Sequence, residues 1–143
     1  MFILSVLSCS TDETQAGDPE MIGEWILIKT TSSSDGSEKI GSDMPFQETY
    51  FLMENGSFTK VRMANGEKLK ATGTFELSET GEGLIDERNI KLYIRFHHDS
   101  RSILTATCYS DSSVEHLFLD DDGRLVNTYS ACDGLGLQYE KLD

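Results

Sequence analysis

The only tryptophan of the chain lies in the stretch Ile22-Gly23-Glu24-Trp25-Ile26. This Gly-x-Trp heads the first apolar segment, residues 21–30, which is rich in residues that favour strands. Short alternating segments follow, separated by Asn55-Gly56, Asn65-Gly66 and Asp122-Gly123. Such pairs are the strongest short-range hairpin signal, because both residues tolerate positive φ. The stretch therefore predicts the first strand of an antiparallel meander.

Alternation with a period of two is clearest in residues 89–96. Ile90, Leu92, Ile94 and Phe96 share one face, and polar or aromatic residues share the other, which is typical of a half-buried strand. The remaining predicted strands are residues 48–53, 57–63, 69–77, 102–109, 114–119, 124–129 and 135–142. Residues 31–41 and 78–88, rich in Gly, Ser and acidic side chains, are predicted loops.

These patterns predict an all-β fold with eight or nine strands and no helix of useful length. Closing such a sheet into a small antiparallel up-and-down β-barrel removes its exposed edges. About eight strands enclose enough space for side chains or for one small ligand. A chain of 143 residues is long enough for one such domain.

The chain is strongly acidic, with a formal net charge of −13. It has no cluster of Lys or Arg that would override this charge locally, so nucleic acid is excluded as an expected partner. Anionic bilayer surfaces are disfavoured for the same reason.

The N-terminal segment has the form of an export signal. Residues 1–7 are almost wholly apolar but far too short to span a bilayer, and Val6-Leu7-Ser8-Cys9 has the form of a lipobox. In this it resembles bacterial lipoproteins, which implies lipidation of Cys9 after cleavage behind Ser8. The acidic pair Asp12-Glu13 is similar to the export signal of Bacteroidota surface lipoproteins.

This resemblance implies a signal segment over residues 1–8, a lipidated cysteine and polar tether over 9–20, and a folded domain over 21–143. It places the protein in the cell envelope, anchored to the outer membrane through its lipid alone. Display on the periplasmic face and display on the cell surface are both open.

The body of the chain resembles the lipocalin-like proteins that Bacteroidota export as lipoproteins. The likeness rests on Gly23-x-Trp25, the run of hairpins and the closing strand with Tyr139. In classical lipocalins this tryptophan packs across the closed end of the barrel against a basic residue from the last strands. Lys141 and Arg124 are the candidates here. A classical C-terminal helix has no counterpart before Asp143, which favours a smaller relative.

Cys108 and Cys132 are candidates for a disulfide, which an exported address permits. Segments 102–109 and 124–129 run in the same direction in the predicted meander, so their ends share a rim. The bond would contribute about 2–4 kcal/mol. The alternative is a pair of buried free cysteines.

Catalytic and metal-binding patterns are weak. His97, His98, Asp99 and His116 are metal-ligating types, but neighbouring histidines of a strand point to opposite faces unless they lie in a turn. Asp120-Asp121-Asp122-Gly123 lacks the length and glutamate of an EF-hand and is predicted to be a hairpin turn. The chain has no nucleophile elbow or phosphate loop, so no enzyme, metal or cofactor is predicted.

Two functions remain open. The first is non-catalytic binding of a small apolar or amphipathic molecule inside the barrel. The second is a surface module with a filled barrel that binds a protein or glycan through its loops. The candidate ligand-lining residues are Trp25, Tyr50, Leu52, Phe58, Phe75, Ile94, Phe96, His116, Phe118 and Tyr129.

Overall fold

A computed structural model describes residues 19–79, 89–109 and 111–143 of the chain. The predicted lipidation site at Cys9 and the signal segment lie outside these residues. The strands are β1 (Gly23–Thr31), β2 (Glu38–Ile40), β3 (Gln47–Leu52), β4 (Ser57–Ala64), β5 (Glu67–Ser78), β6 (Ile90–His98), β7 (Val114–Asp120), β8 (Leu125–Asn127) and β9 (Gly136–Lys141). Two short 3₁₀ helices, Gly41–Asp43 and Tyr129–Cys132, complete the described elements. No helix in these ranges is long and apolar enough to cross a membrane.

The strands form one antiparallel sheet that closes on itself. From β3 to β9 each strand pairs with the next, and β1 pairs with both β3 and β9. The remaining strand, β2, lies outside the closed barrel and pairs only with the last residues of β1. The predicted all-β, up-and-down barrel is therefore confirmed, as eight strands in the barrel and one extra strand.

The two ends of the barrel differ in their connections. The lower end, where β1 begins, carries the turns at residues 53–56 and 121–124. The upper end, where β1 ends, carries residues 32–46, the turn at 65–66, and the connections β6–β7 and β8–β9. At the upper β4–β5 turn, Asn65 and Gly66 have φ values of 51° and 78°. These values explain why this pair is an effective hairpin signal.

The lower end is closed around Trp25. Its indole N–H donates to the carbonyl of Met21 over 2.9 Å. Lys141 is the register partner of Trp25, and its amine donates to the carbonyls of Pro19 and Glu20, over 3.0 and 3.2 Å. Of the two candidate basic residues, Lys141 is thus the one that pairs with Trp25. Arg124 instead pairs with Glu140 on the surface, at 3.7 Å.

Several elements differ from the sequence predictions, and the predicted strand 124–129 is shortened to β8, because a 3₁₀ helix begins at Tyr129. Residues 102–109 do not form a strand, although threonines alternate there. Their backbone bonds locally and to buried side chains, so it is not available to a neighbouring strand. Strand β6 extends through His97 and His98, two residues beyond the predicted segment 89–96, and β2 forms within the predicted loop 31–41.

Candidate functional site

The upper interior of the barrel contains charged side chains that the strands aim inward. On β3, Glu48 shares the buried face with Tyr50 and Leu52, and on β4 Lys60 alternates with the buried Phe58. His98 and Glu115 occupy the inward positions near the upper ends of β6 and β7. The polar cluster is defined here as Glu48, Tyr50, Lys60, Arg62, His98, Glu115 and Tyr139.

Glu115 is the centre of this polar cluster. Its carboxylate lies 3.0 and 3.2 Å from the Lys60 amine. The Tyr50 hydroxyl donates to it over 2.8 Å, and Nε2 of His98 lies 2.5 Å away. The backbone N–H of Ala106 donates a further bond over 3.1 Å. A carboxylate with this many donors is well suited to a buried position.

Glu48 is the second buried carboxylate. Nε of Arg62 donates to it over 2.6 Å, the Lys60 amine lies 3.4 Å away, and the Tyr139 hydroxyl donates a very short bond. Lys60 therefore bridges the two carboxylates, and it also donates to the Leu104 carbonyl over 2.6 Å. Nδ1 of His98 is the one buried side-chain polar atom without a hydrogen-bond partner in the described ranges.

These contacts determine the charge states in the polar cluster. Burial raises the pKa of Glu115, but the charge of Lys60 and the hydrogen bond from His98 outweigh it, so the pKa lies below its ordinary value. Burial and the nearby carboxylates hold the pKa values of Tyr50 and Tyr139 well above their ordinary value. At neutral pH Glu115 is an acceptor, and both tyrosines remain protonated donors.

A cap segment, residues 101–109, covers the polar cluster at the upper end. The side chain of Leu104, in this segment, is buried. The backbone of the segment contacts the polar cluster through the Leu104 carbonyl, which accepts from Lys60, and the Ala106 N–H, which donates to Glu115. A disulfide between Cys108 and Cys132 ties the cap segment to the 3₁₀ helix Tyr129–Cys132. The predicted pairing is confirmed, although Cys108 lies in the cap segment and not at the end of a strand.

A small crevice opens beside the cap segment. It has a volume of about 150 Å³, and its walls include Phe46, Arg62, Ile103, Tyr129, Leu135 and Leu137. Arg62 connects it to the polar cluster, because its Nε binds Glu48 while its guanidinium lies 3.8 Å from the centre of the Phe46 ring. We call this depression the upper crevice.

Two wider depressions neighbour the upper crevice. One, of about 320 Å³, lies among residues 30–39 and shares Leu135 with the crevice. The other, of about 230 Å³, lies along β1 and β9 and shares Leu137 with it. Each of these depressions thus has one wall residue in common with the upper crevice.

The predicted ligand-lining residues divide into two groups. Seven of them are buried in the interior, where they contact other side chains: Trp25, Tyr50, Leu52, Phe58, Phe75, Ile94 and Phe96. The Tyr50 and Phe96 rings are stacked at 4.6 Å, and Phe58 packs edge-on against Phe96 at 5.0 Å. Aromatic side chains thus fill the space that a ligand would need in this region.

The other three residues lie elsewhere. His116 and Phe118 project from the outer face of β7, because Glu115, Leu117 and Leu119 take the inward positions. His116 and Phe118, two of the candidate lining residues, therefore do not face the lumen, because the face of β7 that they share is the outer one. Tyr129 lies in the upper 3₁₀ helix and lines the upper crevice.

The candidate metal-ligating residues are not brought together in the structure. His97 points outward to Glu76 at 2.8 Å, whereas His98 points inward to Glu115. Within the described ranges, no three His, Cys, Asp or Glu side chains are placed to hold a metal ion. Asp120 instead accepts bonds from the backbone N–H groups of Asp122 and Arg124, as in the predicted hairpin turn.

The polar cluster as a whole was not predicted from the sequence. The sequence nevertheless contains a pattern that indicates it. Charged residues occupy the same face as apolar ones in segments with a period of two, as in Glu48-x-Tyr50-x-Leu52 and Phe58-x-Lys60. His98 extends the series Ile94, Phe96 in the same way. A charge at a core-facing position of a strand needs a partner across the barrel, but the spacing alone does not name that partner.

Comparison with known proteins adds no relative. The chain matches no protein-family model, no curated protein and no solved structure at a significant level.

Proposed function

We propose that the chain is an envelope lipoprotein of lipocalin-like type that binds a small apolar or amphipathic molecule without catalysis. We place the binding at the upper end of the barrel and not between its strands. The location rests on the filled interior, which leaves no space for a ligand between the strands. Aromatic side chains and the polar cluster occupy it, and the cap segment closes it above.

The upper crevice is the feature that fits such a ligand. It combines apolar walls with a single guanidinium and a phenol, the composition usual in small-molecule sites. Its volume of about 150 Å³ is below that of most small-molecule sites, so it fits a very small ligand or one end of a larger one. The polar cluster beneath acts as scaffold, because its carboxylates already have charged partners.

Methyl NMR tests where binding occurs. The methyl groups of Ile103 report on the upper crevice, and those of Ile94, fully buried, report on the interior. On addition of 3-methyl-1-butanol, we expect the Ile103 signal to shift in a saturable manner and the Ile94 signal to stay in place. A shift of Ile94 in place of Ile103 contradicts binding at the upper end.

The lipid anchor needs a separate test. Mass spectrometry of the protein from its own host should find a diacylglycerol on Cys9, and the variant Cys9→Ser should lack it. An unmodified Cys9 in the wild-type protein would contradict the proposed lipid anchor.

A second candidate function is a loop-mediated module for a protein or glycan. It is favoured by the exposed apolar residues of the upper end, with Ile40 and Ile103 65% and 74% accessible and Tyr109 also exposed. Binding of such a partner should fall in the variants Ile40→Ser and Tyr109→Ser, neither of which lines the upper crevice. Binding that depends on crevice residues alone excludes this candidate.

A further inference from the structure

Two donor groups at the upper crevice have unused hydrogen-bonding capacity. A guanidinium has five N–H donors. Among the described residues, Arg62 uses only Nε, in its bond to Glu48, and both Nη atoms lack a partner. The Tyr129 hydroxyl likewise makes no hydrogen bond within this part of the chain. Both residues line the same crevice.

Arg62 is held in position by its surroundings. Its side chain is 15% exposed, its Nε is fixed by the fully buried side chain of Glu48, and Phe46 covers one face of the guanidinium. Glu48 is itself shared with Lys60 and Tyr139. Arg62 bonds Glu48 through Nε alone, so the outer edge of its guanidinium keeps N–H donors in the planar arrangement that binds a carboxylate.

Tyr129, which also lines the upper crevice, is held in position as well. A Cβ at Gly134 would lie 2.0 Å from Cδ1 of the Tyr129 ring, so the ring packs directly on the glycine backbone. Cys132, at the end of the same 3₁₀ helix, is fixed by the disulfide to Cys108. The two donors thus belong to built walls and not to mobile surface side chains.

From this geometry we infer that the upper crevice is a site for a carboxylate attached to a short, branched apolar group. Arg62 binds the carboxylate through its Nη atoms, Tyr129 donates to it, and Ile103, Leu135 and Leu137 contact the apolar part. The crevice, of about 150 Å³, is smaller than the roughly 300–1,000 Å³ usual for drug-sized ligands, which favours a ligand with a short apolar part. Two sources share this chemistry: a free short-chain acid and the C-terminus of a peptide. The inference rests on the proposed function, since it names the ligand class of the same site.

The test titrates four probes into isotope-labelled protein. They are 3-methylbutanoate, 3-methyl-1-butanol, N-acetyl-Gly-Leu with a free C-terminus, and its amide. The readouts are the Ile103 methyl signal and the side-chain Nε–H signal of Arg62. We expect 3-methylbutanoate to bind at least about tenfold more tightly than the alcohol, because only it accepts charge-assisted hydrogen bonds. If the peptide acid binds more tightly than 3-methylbutanoate, the source is a C-terminus; the reverse order indicates a free acid.

Two variants separate binding from folding. Tyr129→Phe removes only the hydroxyl, and we expect about a fivefold loss of 3-methylbutanoate affinity with unchanged binding of the alcohol. Ile103→Glu places a negative charge at the crevice, and we expect about a threefold loss. Its matched control is Ile40→Glu, a similarly exposed residue of the upper end outside the crevice, which should bind as the wild type does.

Equal affinity of the acid and the alcohol at Ile103 overturns the carboxylate inference but leaves the proposed function intact. Wild-type affinity in both Tyr129→Phe and Ile103→Glu also overturns it. If none of the four probes shifts Ile103 while Ile94 responds, the proposed location of binding fails as well.

Discussion

The lower and upper halves of this barrel interior are built from different chemistry on the same strands. The lower half contains apolar side chains such as Trp25, Leu77 and Leu119. The upper half contains the polar cluster, with Lys60, Glu48 and Glu115 almost completely buried. The halves meet where the aromatic rings of Tyr50, Phe58 and Phe96 pack together.

This difference shows two ways of filling one barrel. Apolar burial is non-directional and tolerates small changes in shape at a modest cost. A buried ion pair contributes little net stability, but removing one partner leaves an uncompensated charge. The upper half should therefore be the less tolerant of single substitutions, although it need not contribute more to stability.

The largest effect is expected for Lys60→Met. The variant leaves Glu48 and Glu115 without their shared cation, and we expect the free energy of unfolding to fall by about 3–5 kcal/mol. Urea denaturation measures this loss. The matched control is Lys70→Met on the exposed face of β5, which should change stability by less than about 0.5 kcal/mol. Similar losses in both variants would contradict the difference between the halves.

Loss of the disulfide should rank second. The bond joins residues separated by 24 positions, and the double variant Cys108→Ser, Cys132→Ser should lose about 2–4 kcal/mol. Because the bond holds only the cap segment, hydrogen exchange should rise at Ala106 before it rises at Ile94. Uniform acceleration at both amides would mean that the cap segment is not a separate unit of stability.

The pH dependence of stability should be due largely to the upper half. Since the pKa of Glu115 in the folded protein lies below its ordinary value of 4.5, its contribution is complete above that value. The contribution is lost as the pH falls through the lower folded-state pKa. Urea unfolding between pH 7 and pH 3 should therefore show a loss below about pH 4.5 that is reduced in Glu115→Gln. Parallel profiles for the two proteins would assign the acid sensitivity to other carboxylates.

The smallest effect is expected in the apolar part of the interior. Ile94→Val removes one buried methylene group and should cost about 0.5–1.5 kcal/mol, with an unchanged acid profile. Thermal unfolding with calorimetric detection measures it. A loss as large as that of Lys60→Met would show that the packed rings, and not the charges, make the interior sensitive.

The same division explains what the sequence could predict. The strands, the turns and the lower end follow from local patterns, because Asn-Gly turns and period-two alternation need no distant partner. The inward position of His98 and Glu115 was missed, since a polar residue on an apolar face is interpreted as a surface residue until its partner is known. Residues 102–109 were predicted as a strand because their threonines alternate. The pattern carries no information on the bonds that their backbone makes with the side chains of Lys60 and Glu115.

The candidate site was predictable only in part. Tyr129 was identified as a lining residue, but Arg62 was not, because its role depends on Phe46 and Glu48 lying beside it in space. Most of the predicted lining residues proved to fill the interior, since hydrophobic periodicity indicates burial and does not distinguish a packed core from a cavity.

The closure of the barrel by β1 and β9 has a consequence for how the chain assembles. Leu27 pairs with Tyr139, so one edge of the first strand stays unsatisfied until residues more than a hundred positions later are available. A growing chain cannot complete this sheet progressively, and such non-local pairing slows folding. During that interval the open edge of β1 is a template for pairing with other chains. Closure of the barrel is therefore a single late event, which must wait until the residues of β9 are available to pair with β1.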